Sequence, residues 1–207
     1  MACIAAGKFN ESLCLGLPGY QVAYILIASA AVADFLDGLV ARAIGAVSAI
    51  GKELDSLCDL VSFGLAPALL MYNLMAANAG HIALVAILIA VGGALRLARF
   101  NVDTNQATTF TGLPIPANAI FWIGYTAFAV RHPLPLAVHC VTIIIVSWLM
   151  ISPLRMFSLK IHNFSIGEVW RQCTLIVGTI IAVVVCGLPG LAVGITLYVI
   201  LAIFTKQ

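Results

Sequence analysis

The sequence predicts an all-α integral membrane protein, a polytopic bundle of about six to seven transmembrane helices. Of its 207 residues, 63% are hydrophobic and only 9% are charged, whereas an ordinary soluble domain is about 25% charged. So few charged side chains do not cover a water-facing surface, and the composition therefore excludes a soluble enzyme, a disordered chain and a nucleic-acid-binding module. The apolar residues are also arranged in runs that approach the roughly 20 helical residues needed to cross a bilayer.

Six apolar runs are candidates for transmembrane helices, and a seventh follows the turn Gly187-Leu188-Pro189-Gly190. No linker or repeat divides them, so residues 1–207 are predicted to form a single membrane domain. Residues 1–7 are apolar but too short to cross a bilayer, and we expect them to be the end of a helix whose beginning is absent. The predicted spans are residues 21–46, 53–75, 81–100, 116–130, 136–156, 170–187 and 190–204.

The distribution of Lys and Arg predicts how the chain is oriented. If the first full helix runs from outside to inside, eight of the ten basic residues lie at the inner ends of helices. Because such an excess marks the cytoplasmic side, the turn at residues 46–51 is predicted to be cytoplasmic. The inner residues are Arg42, Lys52, Arg96, Arg99, Arg155, Lys160, Arg171 and Lys206, and the outer residues are Lys8 and Arg131.

Acidic residues are concentrated where lipid is expected. Five of the eight Asp and Glu residues fall between positions 34 and 59, within or beside two apolar segments. An ionised side chain at membrane depth costs about 2.5–3.5 kcal/mol on insertion scales, so these groups need compensation. The five residues are Asp34, Asp37, Glu53, Asp55 and Asp59.

The spacing of the four aspartates predicts that they meet in one cavity. Asp34 and Asp37 are three residues apart and share one face of the first helix. Asp55 and Asp59 are four residues apart and share one face of the next. A short turn joins the two helices, which are therefore expected to pack antiparallel. Asp37 and Asp59 each lie eleven residues from Ser48, which is about 16 Å of helix.

Converging carboxylates repel one another unless cations bridge them. Oxygen ligands favour Mg²⁺, Mn²⁺ or Ca²⁺ over Zn²⁺, and we expect two such ions. Gly38 and Ala41 leave room beside the acids for a phosphorylated group, and Arg42 offers a guanidinium fork to phosphate oxygens. The spacing alone leaves two interpretations open, phosphoryl transfer at a pyrophosphate or a proton or cation pathway in a transporter.

The same segment fits a longer pattern, D-x2-D-G-x2-A-R-x8-G-x3-D-x3-D, with all eight fixed positions present between Asp34 and Asp59. This pattern resembles that of the CDP-alcohol phosphatidyltransferase family and is far more specific than a lone glycine-rich loop. The resemblance implies an integral membrane enzyme with a core of six helices, usually homodimeric, that displaces CMP from a CDP-linked donor with an alcohol. Family members normally begin with a further helix, of which residues 1–7 would be a truncated remnant.

The resemblance also implies a role for each motif residue. The first three aspartates are expected to hold metal, and the last, Asp59, is expected to lie close to the metal and to act as the catalytic general base. The predicted metal residues are thus Asp34, Asp37, Asp55 and Asp59. The residues predicted to bind the CDP group are Asp34, Gly38, Ala41, Arg42, Ser48 and Gly51.

Residues 54–67, 96–101 and 112–116 resemble one branch of this family, the bacterial and archaeal phosphatidylserine synthases. This resemblance implies that CDP-diacylglycerol donates its phosphatidyl group to L-serine, at the cytoplasmic side of a prokaryotic cytoplasmic membrane. The products would be phosphatidylserine and CMP, as a step in phospholipid biosynthesis. Synthesis of phosphatidylglycerol phosphate or of an inositol phospholipid is the alternative within the family.

Arg96 and Arg99 are candidates for holding the carboxylate of serine. They are three residues apart at the inner end of a helix, so both side chains can reach one pocket. A guanidinium group binds a carboxylate through two parallel hydrogen bonds, and Asn101 is a further candidate. The alternative is that the arginines anchor the helix among lipid phosphates.

Two prolines and a glycine pair lie inside apolar runs and have structural interpretations. Pro67 and Pro153 are expected to kink or end helices, with neighbouring groups bonding the freed carbonyls. Gly92 and Gly93 are expected to permit close packing between helices.

Overall fold

The computed structural model is mainly helical over the residues it describes, which are 1–14, 16–45, 48–102, 110–156 and 166–204. Within these ranges two segments are long and apolar enough to cross a membrane, Gly19–Ala41 and Ile50–Val102. Shorter apolar helices follow at Leu136–Ile151, Gln172–Cys186 and Gly190–Phe204. The helical fold with apolar helices of the membrane type is therefore confirmed, while the number of helices that cross the membrane stays a prediction.

The helices follow one another with few interruptions. They are α1 (Ala2–Gly7), α2 (Gly19–Ile44), α3 (Ala49–Asp59), α4 (Ala66–Ala79), α5 (Ile87–Val102), α6 (Ile115–Arg131), α7 (Leu136–Ile151), α8 (Ile166–Cys186) and α9 (Gly190–Phe204). A wider π-helical turn, Leu60–Leu65, joins α3 to α4. A tighter 3₁₀ segment, Gly80–Ala86, joins α4 to α5.

Two short pairs of antiparallel strands lie between helices and were not part of the all-α prediction. β1 (Ser12–Cys14) pairs with β2 (Leu17–Pro18) before α2. β3 (Phe110–Thr111) pairs with β4 (Arg155–Met156) and so joins the segment before α6 to the segment after α7. All-α therefore describes the apolar bundle but not these connections, where backbone groups outside the helices bond one another.

Local sequence signals set the end of α2 and the start of α3. α2 ends at Gly45, whose left-handed φ of 66° lets its N–H donate to the carbonyl of Ala41, an arrangement that glycine adopts without steric cost. α3 begins at Ser48, whose Oγ accepts a hydrogen bond of 3.0 Å from the N–H of Gly51. The two caps are three residues apart in the sequence, so the chain leaves one aspartate-bearing helix and enters the other almost at once.

Two of the predicted helices have the bounds expected from the sequence, and two others do not. α9 coincides with the predicted 190–204, and α6 extends the predicted 116–130 by one residue at each end. The predicted 136–156 is too long, because Ser152 precedes Pro153 and takes an extended ψ of 150°, which ends α7. The predicted 81–100 begins too early, since regular helix starts only at Ile87.

The core lies where α4, α5, α6 and α7 meet. Gly92 makes close contact between α5 and α7 possible, because a Cβ atom there would lie 3.2 Å from the carbonyl oxygen of Ser147. This confirms the predicted role of that glycine in helix packing. Large fully buried side chains fill the space between the helices, among them Phe63, Leu70, Met71, Met75, Ile89, Trp122, Ile143 and Met150.

A second close contact joins α6 to α9. A Cβ atom at Gly124 would collide with the backbone nitrogen of Ala192 and would lie 3.1 Å from its Cα. A backbone atom within a packed helix does not move aside cheaply, so this contact depends on the absence of a side chain at Gly124.

Gly124→Ala is expected to lower the melting temperature of the detergent-solubilised protein. The added methyl group forces α6 and α9 apart, and overpacking of this kind typically costs about 1–3 kcal/mol. Gly7→Ala is the matched control, because a Cβ at Gly7 meets no atom within 4 Å. Equal melting temperatures for the two variants would contradict the close α6–α9 contact.

Candidate active site

Three carboxyl groups from two helices form one cluster. Asp34 on α2 and both Asp55 and Asp59 on α3 each place one oxygen within 4.8 Å of the other two. Asp55 is exposed, while Asp34 and Asp59 are partly buried. The spacing of four residues brings Asp55 and Asp59 onto one face of α3. The carboxylate cluster, as we call these three residues, thus connects the second half of α2 to the C-terminal half of α3.

Asp37 lies outside this cluster and is exposed. Three residues of helix turn its side chain by about 60° from that of Asp34 and carry it about 4.5 Å along the axis. It stays within electrostatic reach of Asp34 and Asp55 and adds to their repulsion. Where the sequence predicted four convergent aspartates, the structure brings three together and leaves the fourth beside them.

The cluster has no basic side chain in direct contact with it among the residues described. Within that part of the chain the one ion pair joins Lys8 to Glu11 at 2.9 Å. Three carboxylates this close repel one another strongly wherever water is partly excluded. An all-oxygen set of ligands suits Mg²⁺ or Mn²⁺. The residues present therefore fit a divalent metal ion, although the structure does not identify the ion.

The small residues predicted beside the CDP group lie on the same face of α2 as the cluster. Gly38 and Ala41 follow Asp34 by four and seven residues, the spacing of one helix face. Both are partly buried. The side chain of Arg42, predicted to bind phosphate, lies outside the described part of the structure.

Ser48 and Gly51, also predicted to bind the CDP group, contact each other. The hydrogen bond from the Gly51 N–H to Ser48 Oγ is the N-terminal cap of α3. A Cβ atom at Gly51 would lie only 2.9 Å from that oxygen. The pair thus has a structural task, the start of the helix that carries Asp55 and Asp59, independent of any bound nucleotide.

The three candidates for binding the acceptor differ in what they contact. Arg99 is exposed, and its Nη1 donates a 2.8 Å hydrogen bond to the carbonyl of Ile151 at the end of α7. Asn101 Nδ2 donates to Glu53 Oε2 at 3.2 Å and to Ser56 Oγ at 3.1 Å. Both side chains therefore join α5 to neighbouring helices.

Arg96 is placed differently, beside the carboxylate cluster. It is within electrostatic reach of Asp59 and also lies near Tyr198 of α9. Its Nε is buried and has no hydrogen-bond partner in the described structure, whereas buried polar atoms are normally satisfied. The sequence alone made Arg96 and Arg99 equal candidates for binding the acceptor. In the structure their surroundings differ, and Arg96 is the one within electrostatic reach of Asp59.

Asn118 is a polar residue that the sequence analysis missed, and it bonds the π-helical turn that follows Asp59. It is fully buried on α6, and its Nδ2 donates a 3.0 Å hydrogen bond to the carbonyl of Phe63. Its Oδ1 accepts a 2.8 Å hydrogen bond from Trp122 Nε1. The sequence feature that could have identified Asn118 is its amide side chain within the apolar run 116–130, where a polar group requires a hydrogen-bond partner.

The sequence was also compared with models of known protein families. A sequence model of CDP-alcohol phosphatidyltransferases matches residues 12–157, which include the carboxylate cluster, Arg96, Arg99, Asn101 and Asn118.

Several curated proteins are similar to this chain. A CDP-diacylglycerol–serine O-phosphatidyltransferase of Methanocaldococcus jannaschii is 41% identical over 143 residues, which are 69% of this chain and 65% of that protein. One of Helicobacter pylori is 43% identical over 104 residues, 49% of this chain and 44% of that protein. An archaetidylserine synthase of Methanothermobacter thermautotrophicus is 43% identical over 124 residues, 58% of this chain and 53% of that protein. The chain thus spans less than two thirds of the length of each.

Asp55→Asn is expected to weaken the binding of Mn²⁺, measured by electron paramagnetic resonance on the purified protein. The substitution removes one charged oxygen ligand from the carboxylate cluster, and we expect a loss of about tenfold or more. Glu53→Gln is the control, because Glu53 is an acid of the same helix that lies outside the cluster. If both variants bound Mn²⁺ as the unmodified protein does, the cluster would not be a metal site.

Proposed function

The chain belongs to the CDP-alcohol phosphatidyltransferase family, and we propose on this basis that it transfers the phosphatidyl group of CDP-diacylglycerol to the hydroxyl group of L-serine. The products are phosphatidylserine and CMP. The observation that carries the proposal is the complete family motif on two consecutive apolar helices, with Asp34, Asp55 and Asp59 in one cluster. An acidic cluster between apolar helices suits a reaction at a lipid diphosphate, because its metal can neutralise the phosphate charge.

Serine is favoured as the acceptor by the similar proteins. The names of the three relatives all contain serine, although one of them concerns an archaetidyl lipid. The buried and unpartnered Nε of Arg96 beside Asp59 supports the same acceptor, since a guanidinium group binds a carboxylate well. Glycerol phosphate or an inositol compound is the second candidate within the family, and each would present a phosphate or only hydroxyl groups to Arg96.

In the proposed mechanism, residues of α2 and α3 bind the metal, and Asp59 of α3 accepts a proton. Asp34 and Asp55, with Asp37 beside them, would hold the metal, which would supply positive charge to offset that of the diphosphate and of the departing CMP. Asp59 accepts the proton of the serine hydroxyl as its oxygen attacks the phosphorus on the diacylglycerol side. The bond between that phosphorus and the oxygen of CMP breaks, and CMP leaves with the electron pair.

Positioning of the two substrates contributes much of the acceleration, since a serine hydroxyl is a weak nucleophile. Arg96 holds the serine carboxylate, so that the hydroxyl faces Asp59. Gly38 and Ala41 leave space for the nucleotide end of the donor along α2, and the guanidinium group of Arg42 binds its phosphate oxygens. Arg99 and Asn101 keep α5 in place through their bonds to α7 and α3.

The same proposal includes the setting of the enzyme. We expect six to seven helices to cross a prokaryotic cytoplasmic membrane, with the carboxylate cluster on the cytoplasmic side, where most basic residues lie. Mg²⁺ or Mn²⁺ is the expected ion, with two bound per site, and Ca²⁺ is a third candidate. A homodimer is the expected assembly.

The first test is release of CMP by the purified protein in detergent with CDP-diacylglycerol. CMP and phosphatidylserine should appear only when L-serine and either Mg²⁺ or Mn²⁺ are present. Glycerol 3-phosphate and inositol phosphate supplied instead of serine test the other acceptors of the family. Release with one of these and not with serine would replace the proposed acceptor, whereas ion flux in liposomes without any CMP release would favour a transporter.

Asp59→Asn is expected to abolish turnover while largely preserving donor binding, because the amide accepts no proton from serine. Turnover is followed by CMP release, and donor binding by competition with a labelled CDP-lipid. Glu53→Gln again serves as the control and should remain active. Ordinary turnover in Asp59→Asn would contradict the assignment of the general base.

Arg96→Leu is expected to raise the KM for serine at least about tenfold, since a charged hydrogen bond to the carboxylate is lost. Its KM for CDP-diacylglycerol should change little. Arg99→Leu is the matched comparison three residues away, and we expect a smaller effect on serine because Arg99 bonds the carbonyl of Ile151. The opposite ranking of the two variants would transfer the acceptor role to Arg99.

A further inference from the structure

Immediately after α3 the helix takes the wider π-helical form, and Pro67 explains why. Pro67 has no N–H, so the carbonyl of Phe63, four residues earlier, has no α-helical donor, and the proline ring also crowds that carbonyl. The π-helical turn accommodates both effects. In it the N–H of Ala66 donates to the carbonyl of Val61, five residues back instead of four.

Asn118 supplies the donor that Pro67 withholds. Its Nδ2 lies 3.0 Å from the carbonyl oxygen of Phe63, and the side chain is fully buried. Its Oδ1 accepts a separate hydrogen bond of 2.8 Å from Trp122 Nε1. A bond between α6 and the backbone of the π-helical turn thus confirms the expectation that a neighbouring group satisfies the carbonyl freed by Pro67.

The position of this bond connects it to the carboxylate cluster. The π-helical turn begins at the residue after Asp59. The extra residue in the turn sets the angle at which α3, with Asp55 and Asp59, leaves the packed core formed by α4 and α6. Apart from the bonds that Asn101 makes to Glu53 and Ser56, α3 makes few other contacts with the core. The direction of its carboxyl groups toward Asp34 therefore depends strongly on this turn.

We infer that Asn118 is a positioning residue for the carboxylate cluster, which acts by holding the π-helical turn through the carbonyl of Phe63. Its effect on turnover rests on the proposed function, whereas its effect on metal binding does not. The bond orients Asp59 from outside the motif, in the way that residues behind metal ligands orient them.

Asn118→Leu removes the donor and keeps the number and the branching of the side chain's heavy atoms. We expect Mn²⁺ affinity, measured by electron paramagnetic resonance, to fall about tenfold, and kcat at saturating Mn²⁺ and substrates to fall by a similar factor. Trp122→Phe is the control, because it removes the partner of Asn118 Oδ1 and leaves the bond to Phe63. It should bind Mn²⁺ and turn over nearly as the unmodified protein does.

Pro67→Ala is the second variant and should fold well. The new N–H at position 67 can bond the carbonyl of Phe63, so the π-helical turn can relax to a regular α-helix. We expect the melting temperature to rise while Mn²⁺ affinity and kcat fall, a combination that a merely structural role for this bond does not produce.

The outcomes separate this inference from the proposed function. Unchanged Mn²⁺ affinity in either Asn118→Leu or Pro67→Ala would overturn the inference, and so would an equal loss in Trp122→Phe. If the unmodified protein bound Mn²⁺ in a manner that depends on Asn118 yet released no CMP, the proposed function would fail and the inference would stand. Absence of Mn²⁺ binding by the unmodified protein would overturn both.

Discussion

Repulsion among the carboxylates of Asp34, Asp55 and Asp59 is the interaction on which the first half of the molecule depends. Charges of one sign within 4.8 Å of one another, on helices otherwise rich in apolar side chains, are tolerated only with compensation from a cation. The residue types around the cluster are consistent with this need for a cation. The ligands are all oxygen, and small residues adjoin them on α2. The guanidinium group of Arg96 attracts Asp59 without forming an ion pair within the described residues.

Much of this arrangement could be predicted from the sequence, because helix periodicity alone determines which residues share a face. The pairing of Asp55 with Asp59 and the bounds of α9 follow from spacing and from apolar runs. Spacing along one helix does not determine which residues of another helix lie opposite a given face. Asp37 and Asp34 are about one turn apart, and only Asp34 joins the cluster with Asp55 and Asp59. Arg96 and Arg99 are also about one turn apart, and Arg99 bonds the carbonyl of Ile151 at the end of α7.

Other differences from the sequence-based expectations arise where proline interrupts the hydrogen bonds of the helical backbone. A proline inside an apolar helix removes a donor that lipid cannot replace, and the two cases here were resolved in different ways. Pro153 follows the end of α7, and the chain continues into β4. Pro67 is retained within a continuous helical segment, since the carbonyl it frees is bonded from α6 by Asn118. The sequence marked both positions as irregular, but the donor to Phe63 comes from a residue 55 positions away.

The length of α2 links the chemistry to the bilayer. Its 26 residues span about 39 Å, against a hydrocarbon thickness of about 30 Å. If α2 crosses the bilayer as proposed, the excess is taken up by tilt or extends among the lipid headgroups, and Asp34, some 22 Å from the start of the helix, lies in the second half of the span. In the proposed reaction the nucleotide-lipid would thus react while its acyl chains stay immersed among their neighbours. The thickness of the surrounding leaflet would then govern how much water reaches the reacting diphosphate.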